Sequence, residues 1–281
     1  MQPKRFNHLL LEPRRSEQAA GRLCSALFWI TAAAYLAASA GFFYGPTRAL
    51  DWPLCLLLIF AVAACCSSMA RQLPSQNVFA AAAITALIGG AAHALGSFSG
   101  VPFGPCVYSQ DMGRPLFGLL PWPLPLLWIL FVLSSRGAAR LMLRPWRRGK
   151  NYGFLLIALT AALVVLSAIG LDVFATQVFS FWKWSETKLH IDLLGAPIVN
   201  FIAWGLVSLL ILAFATTFLI NKRPGAPSPP DYYPLAIWVL TLMLFAAGAA
   251  SRHLTTTAAV LALPALVVAA LAVVGSRTRP R

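Results

Sequence analysis

The chain is organised around residues 169–204, where two long apolar segments meet. The stretch begins Ile169-Gly-Leu-Asp-Val-Phe-Ala-Thr-Gln-Val178, continues Ser180-Phe-Trp-Lys-Trp-Ser-Glu186 and ends Gly195-Ala-Pro-Ile-Val-Asn-Phe-Ile-Ala-Trp204. An ionisable side chain at the end of an apolar helix is costly in a membrane, so it indicates a functional site. The polar and aromatic residues of the stretch are Asp172, Thr176, Gln177, Trp182, Trp184, Glu186, Asn200 and Trp204.

The composition is that of an integral membrane protein. Hydrophobic residues make up 59% of the 281, and charged residues make up only 11%, whereas a soluble domain carries about 25% charged residues. The net charge is +14, but the basic residues fall in short connecting segments. Because no long basic face is available for phosphate contacts, we expect no nucleic-acid partner.

The length of the apolar segments predicts an all-α, polytopic helix bundle. A bilayer core needs about 20 apolar residues per helix. Eight segments qualify, at 22–44, 52–70, 76–98, 116–134, 152–176, 195–220, 233–250 and 254–275. We therefore expect one transmembrane domain, residues 22–275, between a basic tail of residues 1–21, disordered or interfacial, and a short basic tail, 276–281.

The positive charges predict the orientation of the bundle. With the N-terminus inside, seventeen of the 22 Lys and Arg fall on the cytoplasmic side and five on the other. Loops rich in Lys and Arg stay in the cytoplasm, so we expect both termini there, in a multi-pass protein of the cell membrane. The segment 136–150 then reads as a basic interfacial anchor.

A second polar stretch falls on the same side of the membrane as the first. His93 lies near the outer end of the third segment, and the loop Gly100–Pro115 with Tyr108 and Asp111 follows it. Asp172 lies about 30 Å along the fifth helix, at 1.5 Å per residue, and so also near its outer end. The Gly- and Pro-rich loop fits either an ordinary turn or a re-entrant loop that lines a cavity.

Several of these residues also fit a purely structural role. Trp182 and Trp184 are typical of an interfacial aromatic belt as well as of a ligand wall. His93 is equally typical of helix packing. The sequence has no metal-ligand spacing, phosphate loop or dinucleotide fingerprint, so we expect neither a metal nor a cofactor.

A carboxyl among hydroxyls, amides and aromatic rings favours acid-catalysed addition to an alkene. Burial disfavours the charged form of a carboxyl, so Asp172 is expected to hold a proton that it can give to carbon. The faces of Trp182, Trp184, Trp204 or Tyr108 would stabilise the carbocation. A water held by Thr176, Gln177 or Asn200 would then add.

At these residues the chain resembles the carotenoid biosynthesis membrane family that contains the carotenoid 1′,2′-hydratases. The resemblance covers roughly residues 100–204. The family's Gly-Pro-Tyr-x-Tyr-Thr loop corresponds to Gly104-Pro-Cys-Val-Tyr-Ser109, followed by Met112-Gly-Arg-Pro115. Its Asp-Leu-x-Leu-Asp-Pro segment corresponds to Asp172-Val-Phe-Ala-Thr-Gln177, and its Phe-Trp-x-Trp corresponds to Phe181-Trp-Lys-Trp184. Its Gly-x-Pro-x-x-Asn-Phe-x-x-Trp pattern corresponds to Gly195, Pro197, Asn200, Phe201 and Trp204.

The resemblance implies a carotenoid or other polyisoprenoid substrate within the lipid bilayer and hydro-lyase activity. It implies Asp172 as the proton donor, with Asp111 and Tyr108 as further catalytic residues. The residues expected to bind substrate are His93, Thr176, Gln177, Trp182, Trp184, Asn200 and Trp204. Cys106 replaces the first tyrosine of the family loop, and Thr176 replaces its second aspartate, for which Asp111 or Glu186 would have to substitute.

Two other functions fit the same sequence. A transporter or flippase for a lipid or isoprenoid would need ionisable residues along a path through the membrane, whereas here they gather on one side. A non-catalytic pigment carrier would tolerate the loss of Asp172. A gain of one water by a carotenoid in cells expressing the protein distinguishes the hydratase from both.

The topology gives the first testable prediction. Reporter domains fused after Lys150 and after Lys188 should report opposite sides of the membrane, with Lys150 in the cytoplasm. The measurement is the activity of a reporter that functions in only one compartment. Equal activity at the two positions would contradict both the prediction of eight helices and the prediction that the polar residues cluster on one side of the membrane.

Overall fold

The computed structural model describes residues 12–45, 51–185, 191–220 and 229–278. Within these ranges, eight helices are long and apolar enough to cross a membrane. They are α1 Glu12–Tyr44, α2 Asp51–Ala70, α3 Ser75–Ser99, α4 Pro123–Met142, α5 Tyr152–Val173, α6 Ile198–Ala215, α7 Tyr233–Ser251 and α8 Thr255–Arg277. The prediction of an all-α polytopic bundle is confirmed.

Short strands connect some of the helices at one end of the bundle. They form three antiparallel two-stranded ladders, in which β1 pairs with β4, β2 with β3 and β5 with β6. Their bounds are β1 Cys106–Tyr108, β2 Pro115–Leu116, β3 Leu120–Pro121, β4 Trp182–Trp184, β5 Asp192–Leu193 and β6 Ala196–Pro197. We call this end, where α3 and α5 finish, the site end.

The opposite end, where α4 and α8 finish, carries arginines, and we call it the basic end. There the Arg144 guanidinium donates to the Ser276 carbonyl at 3.2 Å. The hydroxyls of Tyr232 and Ser276 are 2.7 Å apart. These contacts place the finish of α8 beside the start of α7 and the finish of α4, as expected for helices that alternate in direction.

Helix α4 is the centre of the bundle. It contacts α2, α3, α5, α7 and α8, and 78% of its most apolar window is buried, compared with 28% for α8. Trp128 and Leu133 have no exposed surface. The lipid-facing helices keep large apolar side chains exposed, such as Phe79 and Leu263, because lipid tails replace the core as their apolar environment.

The bounds of α4 differ from the prediction, which placed it at 116–134. Residues 115–121 form the β2–β3 ladder instead, and the helix begins at Pro123, where a missing N–H costs nothing in the first turn. It continues through Arg136 and Arg140 because their guanidiniums find acceptors, the Leu219 carbonyl at 3.3 Å and the Gln72 amide oxygen at 3.2 Å.

Other bounds shift by smaller amounts. Helix α1 begins at Glu12, inside the segment that the sequence assigned to a basic tail. Helix α6 ends at Ala215 rather than at residue 220. Glu186 and Lys188, which the sequence analysis named, lie outside the described residues.

A close approach between α3 and α4 gives a prediction about packing. A Cβ on Gly89 would lie 2.3 Å from Cγ of Trp128. Overpacking of a core costs about 1–3 kcal/mol, so Gly89→Ala should lower the midpoint of thermal unfolding in detergent.

The matched control is Gly153→Ala, because a Cβ on this helical glycine meets nothing within 4 Å. It should leave the midpoint unchanged or raise it, since alanine favours a helix. Equal midpoints for the two variants would show that Trp128 moves aside without cost.

Candidate active site

A π-helical turn follows α5 and begins two residues after Asp172. It spans Phe174–Val178, and the Phe179 N–H donates to the Phe174 carbonyl at 3.2 Å. Such turns occur frequently at functional sites. The Phe181 N–H then returns to the Ala175 carbonyl at 2.7 Å, so the chain folds back and brings strand β4 beside the carboxyl.

The β1–β4 ladder joins the two polar stretches of the sequence. Tyr108 pairs with Trp182, and Cys106 pairs with Trp184. The Ser109 N–H extends the ladder by donating to the Phe181 carbonyl at 2.7 Å. Backbone hydrogen bonds therefore hold the loop Gly100–Pro115 against the stretch that carries Asp172.

The Asp172 carboxyl is 1% exposed and is bound by two indoles. Its Oδ1 accepts the Nε1–H of Trp182 and the Nε1–H of Trp184, each at 3.1 Å. Its Oδ2 accepts only a longer contact from Trp184, at 3.3 Å. This arrangement suits a carboxylic acid with Oδ1 as the carbonyl oxygen and the proton on Oδ2, and it also stabilises the carboxylate that remains when the proton leaves.

A small cavity lies beside the two indoles, and we call it the aromatic cavity. It has about 10 Å³ of free volume, roughly what one water molecule needs. It is lined by His93, Phe103, Cys106, Tyr108, Leu124, Trp182, Trp184, Asn200 and Trp204. The loop Gly100–Pro115 thus lines the cavity through three of its side chains.

His93 presents an unused ring nitrogen in this cavity. Its Nδ1 lies 3.1 Å from the Tyr108 hydroxyl, and its ring stacks on Phe103 with centroids 4.1 Å apart. Among the described residues its buried Nε2 has no hydrogen-bond partner. A buried nitrogen without a partner is costly, so a water or a ligand group fits here.

The polar groups contributed by the loop keep their protons. Burial raises the pKa of both the Cys106 thiol and the Tyr108 hydroxyl above their ordinary values. If Tyr108 donates to Nδ1 of His93, then Nε2 carries the hydrogen and faces the cavity as a donor. The opposite tautomer makes Nε2 an acceptor.

Stacked rings form one wall of the cavity. The Trp204 and Trp128 indoles stack with centroids 3.9 Å apart and planes 20° from parallel. His93 and Phe103 meet Trp204 edge to face, at 5.5 and 6.0 Å. Ring faces carry partial negative charge, so this wall can stabilise a positive charge in the cavity.

The structure separates the other residues that the sequence named for the site. Thr176 donates to the Asp172 carbonyl at 2.7 Å, and the exposed Gln177 donates to the Leu194 carbonyl at 2.7 Å. Neither is among the residues that line the aromatic cavity. Asp172 does not line it either, whereas both indoles that bind its carboxyl do.

Asp111 belongs to a second, larger cavity with about 90 Å³ of free volume. We call it the apolar pocket; its lining includes Leu58, Leu127, Leu171, Phe174, Phe181 and Phe245. Asp51 also lines it. Asp51 is not among the residues predicted from the sequence, although it too is an ionisable residue at the end of an apolar helix, as Asp172 is.

Cys106 was noticed only as a departure from the family loop, yet it lines the aromatic cavity. Its pairing with Trp184 across the ladder was not visible before the strands were known. In the part of the chain that the structure describes, no three His, Cys, Asp or Glu side chains come together to hold a metal ion.

The fold and the site define a polytopic α-helical membrane protein with a buried carboxyl beside an aromatic cavity at one end of the bundle. The family model for carotenoid biosynthesis proteins matches residues 53–274. The chain therefore belongs to the carotenoid biosynthesis protein family. Searches of curated proteins and of solved structures return no match.

The hydrogen bonds of Asp172 generate a stability prediction. Trp182→Phe keeps an aromatic ring but removes an N–H bonded to a buried carboxyl. Loss of such a bond costs about 1–3 kcal/mol, which should appear in the free energy of unfolding in mixed micelles. Trp182→Phe combined with Asp172→Asn should cost less than the sum of the two single changes, because the residues are in contact.

Trp52→Phe is the matched control, since Trp52 is 77% exposed at the start of α2. It should change the free energy of unfolding by no more than about 0.5 kcal/mol. Strict additivity of Trp182→Phe and Asp172→Asn would mean that the indole does not bind the carboxyl in solution.

Proposed function

We propose that this protein hydrates a terminal carbon–carbon double bond of an acyclic or monocyclic carotenoid without a cofactor. The observation that carries the proposal is the buried Asp172 carboxyl, bound by the indoles of Trp182 and Trp184 beside the aromatic cavity. Membership of the carotenoid biosynthesis family supplies the substrate class, a long polyene with branched isoprenoid ends.

Asp172 acts as the general acid in the first step. Its proton adds to the less substituted carbon of the double bond, and the π electrons of that bond form the new C–H bond. The Trp182 and Trp184 N–H groups stabilise the carboxylate as it develops, because hydrogen bonds to a charged acceptor are about twice as strong as those to a neutral one.

The positive charge then lies on the more substituted carbon of the former double bond. The faces of Trp182, Trp184 and Trp204 are the closest sources of stabilisation, through the attraction between a cation and an aromatic ring. The rings are held by the β1–β4 ladder and by the stack on Trp128. Preorganised groups of this kind need no rearrangement as the charge develops.

Water completes the reaction. Asn200 and the free Nε2 of His93 line the cavity, and we assign the water to them, since Thr176 and Gln177 donate to backbone carbonyls instead. The water oxygen bonds to the cationic carbon and loses one proton. That proton returns to the Asp172 carboxylate through the cavity, which restores the acid and leaves a tertiary alcohol.

The end of the polyene must open the site before it reacts, because the aromatic cavity has room for only about one water. Trp184 is partly exposed, whereas Trp182 is buried. We therefore assign the movable wall to Trp184. Displacement of its indole would expose Oδ2 of Asp172 to the double bond while Trp182 keeps its hydrogen bond to Oδ1.

The test of the mechanism is Asp172→Asn in cells that make acyclic and monocyclic carotenoids. The amide keeps the size of the side chain but cannot donate a proton to carbon. General acid catalysis contributes about 10²–10⁴-fold, so the pigment that carries one added water should disappear from the mass spectrum. Asp192→Asn, an exposed change at the same end of the bundle, should leave that pigment unchanged.

Thr176→Asp is a gain-of-function companion, because it restores the second aspartate of the family pattern. If the chain is a weakened hydratase, this change should raise activity despite the loss of the Thr176 hydrogen bond to the Asp172 carbonyl. Full activity of Asp172→Asn would transfer the acid to Asp111 of the apolar pocket or to Glu186. No hydrated pigment from either the native chain or Thr176→Asp, with substrate confirmed in the cells, would favour the pigment carrier.

A further inference from the structure

A cavity at the basic end of the bundle has a charge that the hydration reaction does not use. It is open to solvent, with about 90 Å³ of free volume, and we call it the arginine cavity. Its lining includes Arg140, Arg144, Arg147, Gln72, Tyr152 and Asp231. Three guanidiniums therefore face one space.

The local fold places these guanidiniums together. Arg140 lies in the last turn of α4, and Arg144 begins the 3₁₀ turn Arg144–Trp146 that follows it. Arg140 donates one N–H to the Gln72 amide oxygen, and Arg144 donates one to the Ser276 carbonyl, each at 3.2 Å. Each guanidinium has five N–H donors, so these bonds fix its position and leave donors for a ligand.

Carboxylates do not balance this charge. Asp231 is the one carboxylate in the lining, and it already accepts a hydrogen bond from Ser68 and lies 3.9 Å from Arg71. Among the side chains that the structure describes, no ion pair joins Arg140, Arg144 or Arg147 to a carboxylate.

A fourth guanidinium strengthens the positive field. Arg136 is 2% exposed and interacts electrostatically with Arg140 and Tyr152, two lining residues. Its Nε and Nη1 have no hydrogen-bond partner within the described part of the chain. A buried cation without a counter-charge is costly, and an anion in the adjacent cavity would lower that cost.

We propose that the arginine cavity binds a phosphate group at the membrane surface, as carried by the headgroup of an anionic phospholipid or by a soluble phosphate ester. The planar fork of an arginine matches the oxygens of a phosphate, and basic pockets between transmembrane helices bind anionic lipid headgroups. The Tyr152 hydroxyl adds a neutral donor. This site is separate from the aromatic cavity, and its occupancy does not depend on the proposed hydration.

The experiment compares two triple variants of the full-length protein in nanodiscs. The cavity variant removes the charges of the cavity and combines Arg140→Gln, Arg144→Gln and Arg147→Gln. The control variant removes three exposed charges from the same end and combines Arg148→Gln, Lys150→Gln and Arg277→Gln. None of these three residues lines the cavity. Native mass spectrometry then measures how much phosphatidylglycerol each protein retains over phosphatidylcholine when released from discs that contain both.

The cavity variant should retain at least about tenfold less phosphatidylglycerol than the native protein, because charge-assisted hydrogen bonds are lost. The control variant should stay within about twofold of the native protein, since exposed charges act weakly through solvent. A second experiment adds inorganic phosphate and measures the midpoint of thermal unfolding. If phosphate stabilises the native protein but not the cavity variant, the site is assigned to a soluble ester.

Two results would overturn the proposal. Equal losses of phosphatidylglycerol in the two triple variants would mean that the general positive charge of this end attracts the lipid. The second result has two parts: the cavity variant retains as much phosphatidylglycerol as the native protein, and inorganic phosphate does not stabilise the native protein. Together they would mean that the cavity binds no phosphate. Far-ultraviolet circular dichroism of each variant confirms that the helices remain folded.

Discussion

The burial of one carboxyl at a helix end is the constraint on which the site depends. Asp172 is 1% exposed, and an unpaired polar group in an apolar interior costs several kcal/mol. Two indole N–H groups satisfy it, which requires the chain to reverse direction within ten residues. The π turn at Phe174–Val178 and the β1–β4 ladder provide that reversal. The same reversal therefore positions both the acid and the two indoles that line the cavity.

The residues of the proposed site and the clustered arginines lie at opposite ends of the bundle. Asp172, His93 and Asn200 lie at the site end, while Arg136, Arg140 and Arg144 lie at the basic end. Between them α4 is packed so tightly that Trp128 meets Gly89 with no room for a Cβ. That packing also fixes the Trp128–Trp204 stack, so the stability of the core and the shape of the aromatic cavity are linked through one indole.

The sequence predicted the helices well because the length and hydropathy of a membrane span follow from the thickness of the bilayer. It misplaced α4 for two reasons. The prolines at 115–125 fit either a helix start or a short ladder, and arginines such as Arg136 and Arg140 are typical of a connecting loop rather than of the end of a membrane helix. Of the four residues that it placed around one cavity, Tyr108, Asn200 and Trp204 line the aromatic cavity and Asp172 does not. It grouped Thr176 and Gln177 with them because depth along a helix says nothing about the direction of a side chain after a π turn.

Thr176 illustrates how a departure from the family pattern can change more than the number of acids. Its hydroxyl donates to the Asp172 carbonyl at 2.7 Å, a bond that an ionised aspartate at this position could not donate. The threonine therefore supports the turn that presents Asp172 but leaves the proposed reaction with one acid. With one acid, the proton that water releases must return to the group that gave it. The aromatic cavity has room for about one water. It is lined by Asn200 and by His93, whose Nε2 has no hydrogen-bond partner among the described residues. A single water held there is suited to return the proton to Asp172.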